Sequence, residues 1–147
     1  MALSLALIAC APEPDSPETE VRAFIARAQT AAENRDLGAL RALIAADYTD
    51  AQGNDRKAVE NLMRLHILRN QSIYLLTRIR SIEFPEPGYA LVSVAAAMAG
   101  RPIASADALV GLTADLYRFD LELIRQGRDD WQVQRAAWTP AQLEEFW

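Results

Sequence analysis

The sequence predicts an α+β domain, with helices first and an antiparallel meander after them. Three observations predict it. Apolar residues recur at three- and four-residue steps through residues 17–69 and then change to a strand-like pattern. Turn signals, Pro85-Glu86-Pro87-Gly88 and Gln126-Gly127-Arg128-Asp129-Asp130, divide the later runs into hairpins. Helical runs come together and strand runs come together, which is the order of segregated layers rather than of a parallel sheet.

The first helix is expected over about Pro17–Asn34. Ser16 suits the N-cap and Pro17 the first helical position, with Glu18 and Glu20 near the positive end of the dipole. Val21, Phe24, Ile25, Ala28 and Ala32 make its apolar stripe. A shorter helix comes next, capped by Asp36, with Leu37, Leu40, Leu43 and Ile44 inward. The stretch from Asp47 to Asn54 reads as a turn-rich break. Asp55 caps a third helix, about Arg56–Arg69, with Val59, Leu62, Met63 and His66 along one side.

Residues 72–84 and 89–99 read as strands joined by the proline-glycine turn. Asp107–Leu112 is expected to form a short helical turn within the ambiguous stretch 100–113. Over residues 115–126, Tyr117, Phe119, Leu121 and Leu123 face one way and Arg118, Asp120 and Glu122 the other. A last strand runs from Trp131 to Trp138, whose two tryptophans take opposite faces by parity. Leu143, Phe146 and Trp147 suggest a tail that packs back.

Composition excludes several functions. Net charge is −5, and fourteen of the 15 basic residues are arginines scattered without a cluster. A nucleic-acid binder needs a basic stripe, so that class is set aside. One cysteine permits no internal disulfide and no thiolate zinc site, and one histidine leaves little for a metal centre. Neither a nucleophile elbow, a phosphate loop nor a dinucleotide fingerprint occurs, so no cofactor and no metal is expected.

The start of the chain carries a different signal. Ala2–Ala9 is apolar apart from Ser4; next come Cys10 and then Ala11-Pro12-Glu13-Pro14-Asp15-Ser16-Pro17. This resembles a bacterial lipoprotein signal with its lipobox. The resemblance implies that residues 1–9 are removed, that Cys10 is lipid-modified, and that residues 10–16 are a flexible tether. A secretory signal opens on positive charge, and no Lys or Arg precedes Arg22; a start codon further upstream is expected to supply it. Ala11 rather than aspartate implies an outer-membrane destination, facing the periplasm. The other reading is a small buried cysteine at a frayed N-terminus. Of the 138 residues after the signal, 17–147 are expected to form one domain.

The domain also resembles the nuclear transport factor 2-like (NTF2-like) superfamily, which includes SnoaL-type and ketosteroid isomerase-like proteins. The resemblance rests on the long first helix, on Asp36-Leu37-Gly38-Ala39-Leu40-Arg41-Ala42-Leu43, and on the Asp47-Tyr48-Thr49-Asp50…Gly53 break. It rests most on Leu116-Tyr117-Arg118-Phe119-Asp120-Leu121-Glu122-Leu123…Trp131-Gln132-Val133-Gln134-Arg135-Ala136-Ala137-Trp138-Thr139-Pro140. It implies a cone, three N-terminal helices packed on a curved antiparallel sheet of about four strands, with a pocket at the open end.

Four residues are candidates for a site. His66, on the third helix, is either a core histidine bonded to a backbone carbonyl or a general base beside a carboxylate. Tyr48 and Asp50 lie where the family often places pocket residues; the plainer reading makes Asp50 a turn former and Tyr48 a lid. Trp138 is a ligand-pocket candidate with Tyr48 and His66. Ala95–Ala97 either widens a cavity or lets a helix approach closely. Arg78, Arg80, Arg118, Asp120, Glu122 and Arg135 mark the outer sheet face, a surface for homodimer pairing or for solvent. The expected function is a non-catalytic, membrane-tethered module that binds a small apolar ligand or a protein. The alternative is a cofactor-free isomerase, dehydratase or cyclase using His66 with Asp50 or Tyr48.

Overall fold

In the computed structural model, which describes residues 16–128 and 130–147, the chain enters helix α1 (Pro17–Glu33) through its expected cap. The Ser16 hydroxyl accepts from the Thr19 amide at 3.2 Å, satisfying a donor the helix itself leaves free. The expected signal, Cys10 and the tether to residue 15 lie outside the described residues. Helix α2 (Leu37–Ala42) is capped by Asp36 and α3 (Arg56–Arg69) by Asp55, each side chain accepting from the amide three residues on.

Five strands alternate with or succeed the helices: β1 (Ile44–Asp50), β2 (Tyr74–Glu86), β3 (Tyr89–Ala99), β4 (Asp115–Ile124) and β5 (Gln132–Pro140). They form one unclosed sheet in the order β1-β5-β4-β3-β2. The expected count of four therefore becomes five, and the sheet is mixed rather than wholly antiparallel, because β1 runs parallel to β5. Strand β1 occupies the stretch read as the end of the second helix and a turn-rich break. Its Ala45-Ala46-Asp47 centre has no alternating apolar signature. It is a strand because Ile44 lies opposite Val133 and Asp50 opposite Ala136, a pairing distant in sequence that no local pattern reports.

The core lies between α1 and the concave face of the sheet. Val21, Phe24 and Ile25 of α1 pack on Ala90, Val92 and Val94 of β3 and on Leu123, with Trp131 closing that end. Phe119 and Leu121 face the same side, opposite Val94 and Val92. On α3 the inward side is Val59 and Met63, not Leu62 and His66: Leu62 is 45% exposed. The inward residues depend on where β1 sits, which the periodicity of the helix does not specify.

The convex face is covered over one half. Ala95 and Ala97 lie beneath Leu109, from a 3₁₀ turn (Ala106–Gly111), and beneath Ala141 and Phe146 at the chain end. The alanines thus permit close approach of covering segments. Trp147 at the very end is half exposed. Arg80 donates to the carbonyls of Glu145 and Trp147, at 2.9 and 3.1 Å, and Arg118 pairs with the Glu145 carboxylate at 3.3 Å.

Candidate functional site at the mouth of the cone

Positions on the concave face divide by depth. At the α1 N-terminal end the central positions Ala90, Val92, Val94 and Leu123 are buried, with Ile79, Ile82, Leu121 and Val133 half-buried around them. At the other end Leu75, Thr77, Ala96, Met98, Tyr117, Phe119 and Trp138 are all half-buried, although ladder pairing puts them on that same face. The central strands are therefore sealed at one end and only part-covered at the other. An aromatic row crosses the open end, with Phe119 6.3 Å from both Tyr117 and Trp138, centroid to centroid, in tilted contacts.

Trp138 reaches this row through a β-bulge. The register shifts between the Glu122–Arg135 and Leu123–Val133 pairs, leaving Gln134 extra on β5. That extra residue cancels the parity argument. Trp131 and Trp138 share the concave face, one buried among the core residues and one beside Phe119.

Tyr48 and Asp50, both buried, lie on the strand next to Trp138. The Tyr48 hydroxyl donates to Asp50 Oδ2 at 2.9 Å. Asp50 Oδ1 accepts from the Gln52 and Asn54 amides at 3.0 and 2.9 Å, and the Asn54 side-chain amide reaches both oxygens at 3.1 Å. Burial alone raises the Asp50 pKa. The donors from Asn54, Tyr48 and Gln52 outweigh it and hold the carboxyl below its ordinary range. The same pairing acts on Tyr48, whose phenol is pushed well up by burial and then by the bond and charge of Asp50. Asp50 is thus a carboxylate whose lone pairs are already occupied, and Tyr48 a donor already committed. The turn-forming role expected for Asp50 matches this geometry.

His66 is exposed on α3, and its Nε2 lies 2.7 Å from Met98 Sδ, at the open end. No hydrogen bond or ion pair joins its ring to a carboxylate among the described residues. The four candidates fall into two groups. Tyr48 and Asp50 are bonded in the wall, while Trp138 and His66 stand at the rim; no acid–base pair links the two groups. Tyr117, Phe119, Met98 and the Gln29–Thr77 pair (2.8 Å) also border the opening. The alternation of β4 carried a signal for the two aromatics: they face small Ala96 and Val94 across the ladder, which leaves the rings part-covered.

Two shallow depressions of about 520 and 510 Å³ lie elsewhere. One is on the convex face around Ser93, Asp120, Glu122 and Arg135, where Arg135–Glu122 and Arg118–Asp120 pair at 3.6 and 3.5 Å. The other runs between α1 and β2, from Arg22 to Gln29 and Thr77 to Ile79.

The chain matches no family model and no curated protein. Solved structures are similar to it across most of its length. One is a candidate dehydratase of the NTF2-like family from Streptomyces avermitilis, at 16% identity and TM-score 0.67, covering 88% of this chain and 99% of that one. A candidate scytalone dehydratase from Novosphingobium aromaticivorans has 12% identity and TM-score 0.67, covering 84% and 83%. A ketosteroid isomerase-like protein from Erwinia carotovora atroseptica has 14% identity and TM-score 0.60, covering 83% and 94%. Likenesses at such identity speak to architecture, and with the helix-backed, half-open sheet they establish that the chain has the fold of the NTF2-like superfamily.

Proposed function

We propose that this protein is a non-catalytic module that binds a small apolar ligand at the open end of its cone. The observation that carries the reading is the aromatic row Tyr117–Phe119–Trp138, part-covered on a face that is otherwise core. Rings in that state gain from a ligand that removes them from water. The saturated Asp50 carboxylate supports the non-catalytic part, because a base needs a free lone pair and an elevated affinity for protons. His66, held against a thioether rather than a carboxylate, supports it too.

The lipobox-like start supports an envelope-anchored lipoprotein on the periplasmic face of the outer membrane. Helix α1 begins at the sealed end, where Glu20 bonds Arg125 and Trp131. A lipid anchor at Cys10 would thus join the domain at its closed end, away from the mouth.

Native mass spectrometry of the Cys10→Ser chain from its own host tests the ligand. A bound apolar mass is expected, reduced in Trp138→Ala and Phe119→Ala. A protein that carries nothing, and whose fluorescence ignores apolar probes, would overturn the reading. Fractionation tests the anchor, since Cys10→Ser should move the protein out of the membrane fraction.

A further inference from the structure

We propose that the free edge of β2 pairs with the same edge of a second copy, antiparallel about a two-fold axis between Arg80 and Ser81. Strand β2 is the longest in the sheet, at 13 residues, and among the described residues it has a neighbour on one side only. Helix α1 meets its outer edge at the start of the strand: the Leu75 amide donates to Glu33, the Leu75 carbonyl accepts from Gln29, and the Thr77 hydroxyl donates to the same Gln29 side chain. Those bonds show that Leu75 turns its backbone away from β3. Alternation then turns Thr77 and Ile79 outward as well.

A bulge in β2 sets the register of the second copy. The β2–β3 pairing shifts between Ile79 and Ser81 and again between Glu83 and Glu86; Arg80 is the extra residue of the first shift, so the outward set passes to Ile82 and, on the far side of Glu83, to Phe84. The outward backbones are therefore Thr77, Ile79, Ile82 and Phe84, a set symmetric about the bond between 80 and 81. An antiparallel second copy in that register faces Ile79 with Ile82 and Thr77 with Phe84, N–H to carbonyl in both directions. A regular strand cannot do this about a point between residues, since outward groups would meet inward ones.

Charge supports the same register. Arg78 lies opposite the second copy's Glu83, and Glu83 opposite the second copy's Arg78, on the convex face. Neither residue belongs to an ion pair among the described residues. A parallel arrangement would set like charges together, so self-recognition is antiparallel. Phe84, 40% exposed, gains cover against Thr77. This surface differs from the convex face, half of which the chain's own 141–147 segment occupies.

Sedimentation velocity of the full Cys10→Ser chain over a wide concentration range tests the proposal. A reversible monomer–dimer equilibrium is expected. Arg78→Glu or Glu83→Arg alone should weaken it by about tenfold or more, since each exchange places like charges opposite at both symmetric sites. The double exchange should recover wild-type association. Unfolding midpoints of the single variants should stay near wild type, showing that any loss is not misfolding. A monomer at every concentration, or a dimer indifferent to Arg78→Glu and broken instead by Arg135→Glu on the convex face, would overturn it.

Discussion

Tyr48 and Asp50 sit two residues apart on β1 with both side chains on the same face, and the phenol of one donates to the carboxylate of the other at 2.9 Å. The bond joins a strand to the turn after it, since the same carboxylate also holds the Gln52 and Asn54 amides. Removing the hub should therefore cost far more than removing one spoke. Asp50→Ala leaves the buried Tyr48 hydroxyl and the part-buried Gln52 and Asn54 donors without their acceptor and is expected to lose about 3 kcal/mol, while Tyr48→Phe loses about 1 kcal/mol. Urea unfolding of both variants checks the ratio. Equal losses would mean that packing, not the carboxylate, organises the turn.

Acid should weaken the fold through the same group. Asp50 has a folded pKa held below its unfolded value, so its ionised form stabilises the fold above the unfolded pKa of about 3.9. That contribution is lost as pH falls through the folded value. Glu145 behaves in the same direction: the Gln142 amide and then Arg118 and Arg80 outweigh its desolvation. Urea midpoints measured from pH 6 downward should decline near and below about pH 4. The decline should be shallower in Asp50→Asn, which has no charge to lose.

Much of the fold was legible because α1, α3 and the β2–β3 and β4–β5 hairpins are local. Caps, turns and alternation along 9 to 17 residues specify them. The features that escaped depended on partners distant in the chain. Strand β1 exists through β5, and the common face of Trp131 and Trp138 through one extra residue, Gln134. The candidate residues could be named from the sequence, but their geometry could not. Tyr48, Asp50, His66 and Trp138 all border the mouth or its wall, yet the bonds that occupy Asp50 come from Gln52 and Asn54. His66 was misplaced by one helix face because the position of β1 sets which side of α3 turns inward.

The sealed end of the cone depends on Glu20. Its carboxylate accepts from Arg125 and from Trp131 Nε1, the latter at 3.1 Å, while the Arg125 guanidinium stacks 5.2 Å from the Trp131 ring. Both charges are part-exposed, so solvent screens the ion pair and the buried indole N–H carries more of the consequence. Glu20→Ala should destabilise the fold by about 2 kcal/mol. Glu20→Gln keeps an acceptor for the indole and should cost about half as much. Thermal unfolding read by tryptophan emission separates the two. A Gln variant as unstable as the Ala variant would make the ion pair, not the indole bond, the main contributor.

Two glycines distinguish conformational strain from steric exclusion. Gly53 and Gly88 both have positive φ, 84° and 76°. A methyl group at Gly53 meets open space, whereas one at Gly88 lies 2.7 Å from the Arg125 backbone carbonyl oxygen. That carbonyl cannot swing away freely, because the Arg125 amide donates to the Gly88 carbonyl at 2.9 Å and ties the β2–β3 turn to the end of β4. Gly53→Ala should therefore cost only the left-handed backbone penalty, about 1 kcal/mol. Gly88→Ala adds displacement of the backbone and should cost about 2–4 kcal/mol. Hydrogen exchange localises the difference: Arg125 and its neighbours should lose protection in Gly88→Ala and keep it in Gly53→Ala. Equal costs at the two positions would mean that the turn moves away from β4 without penalty.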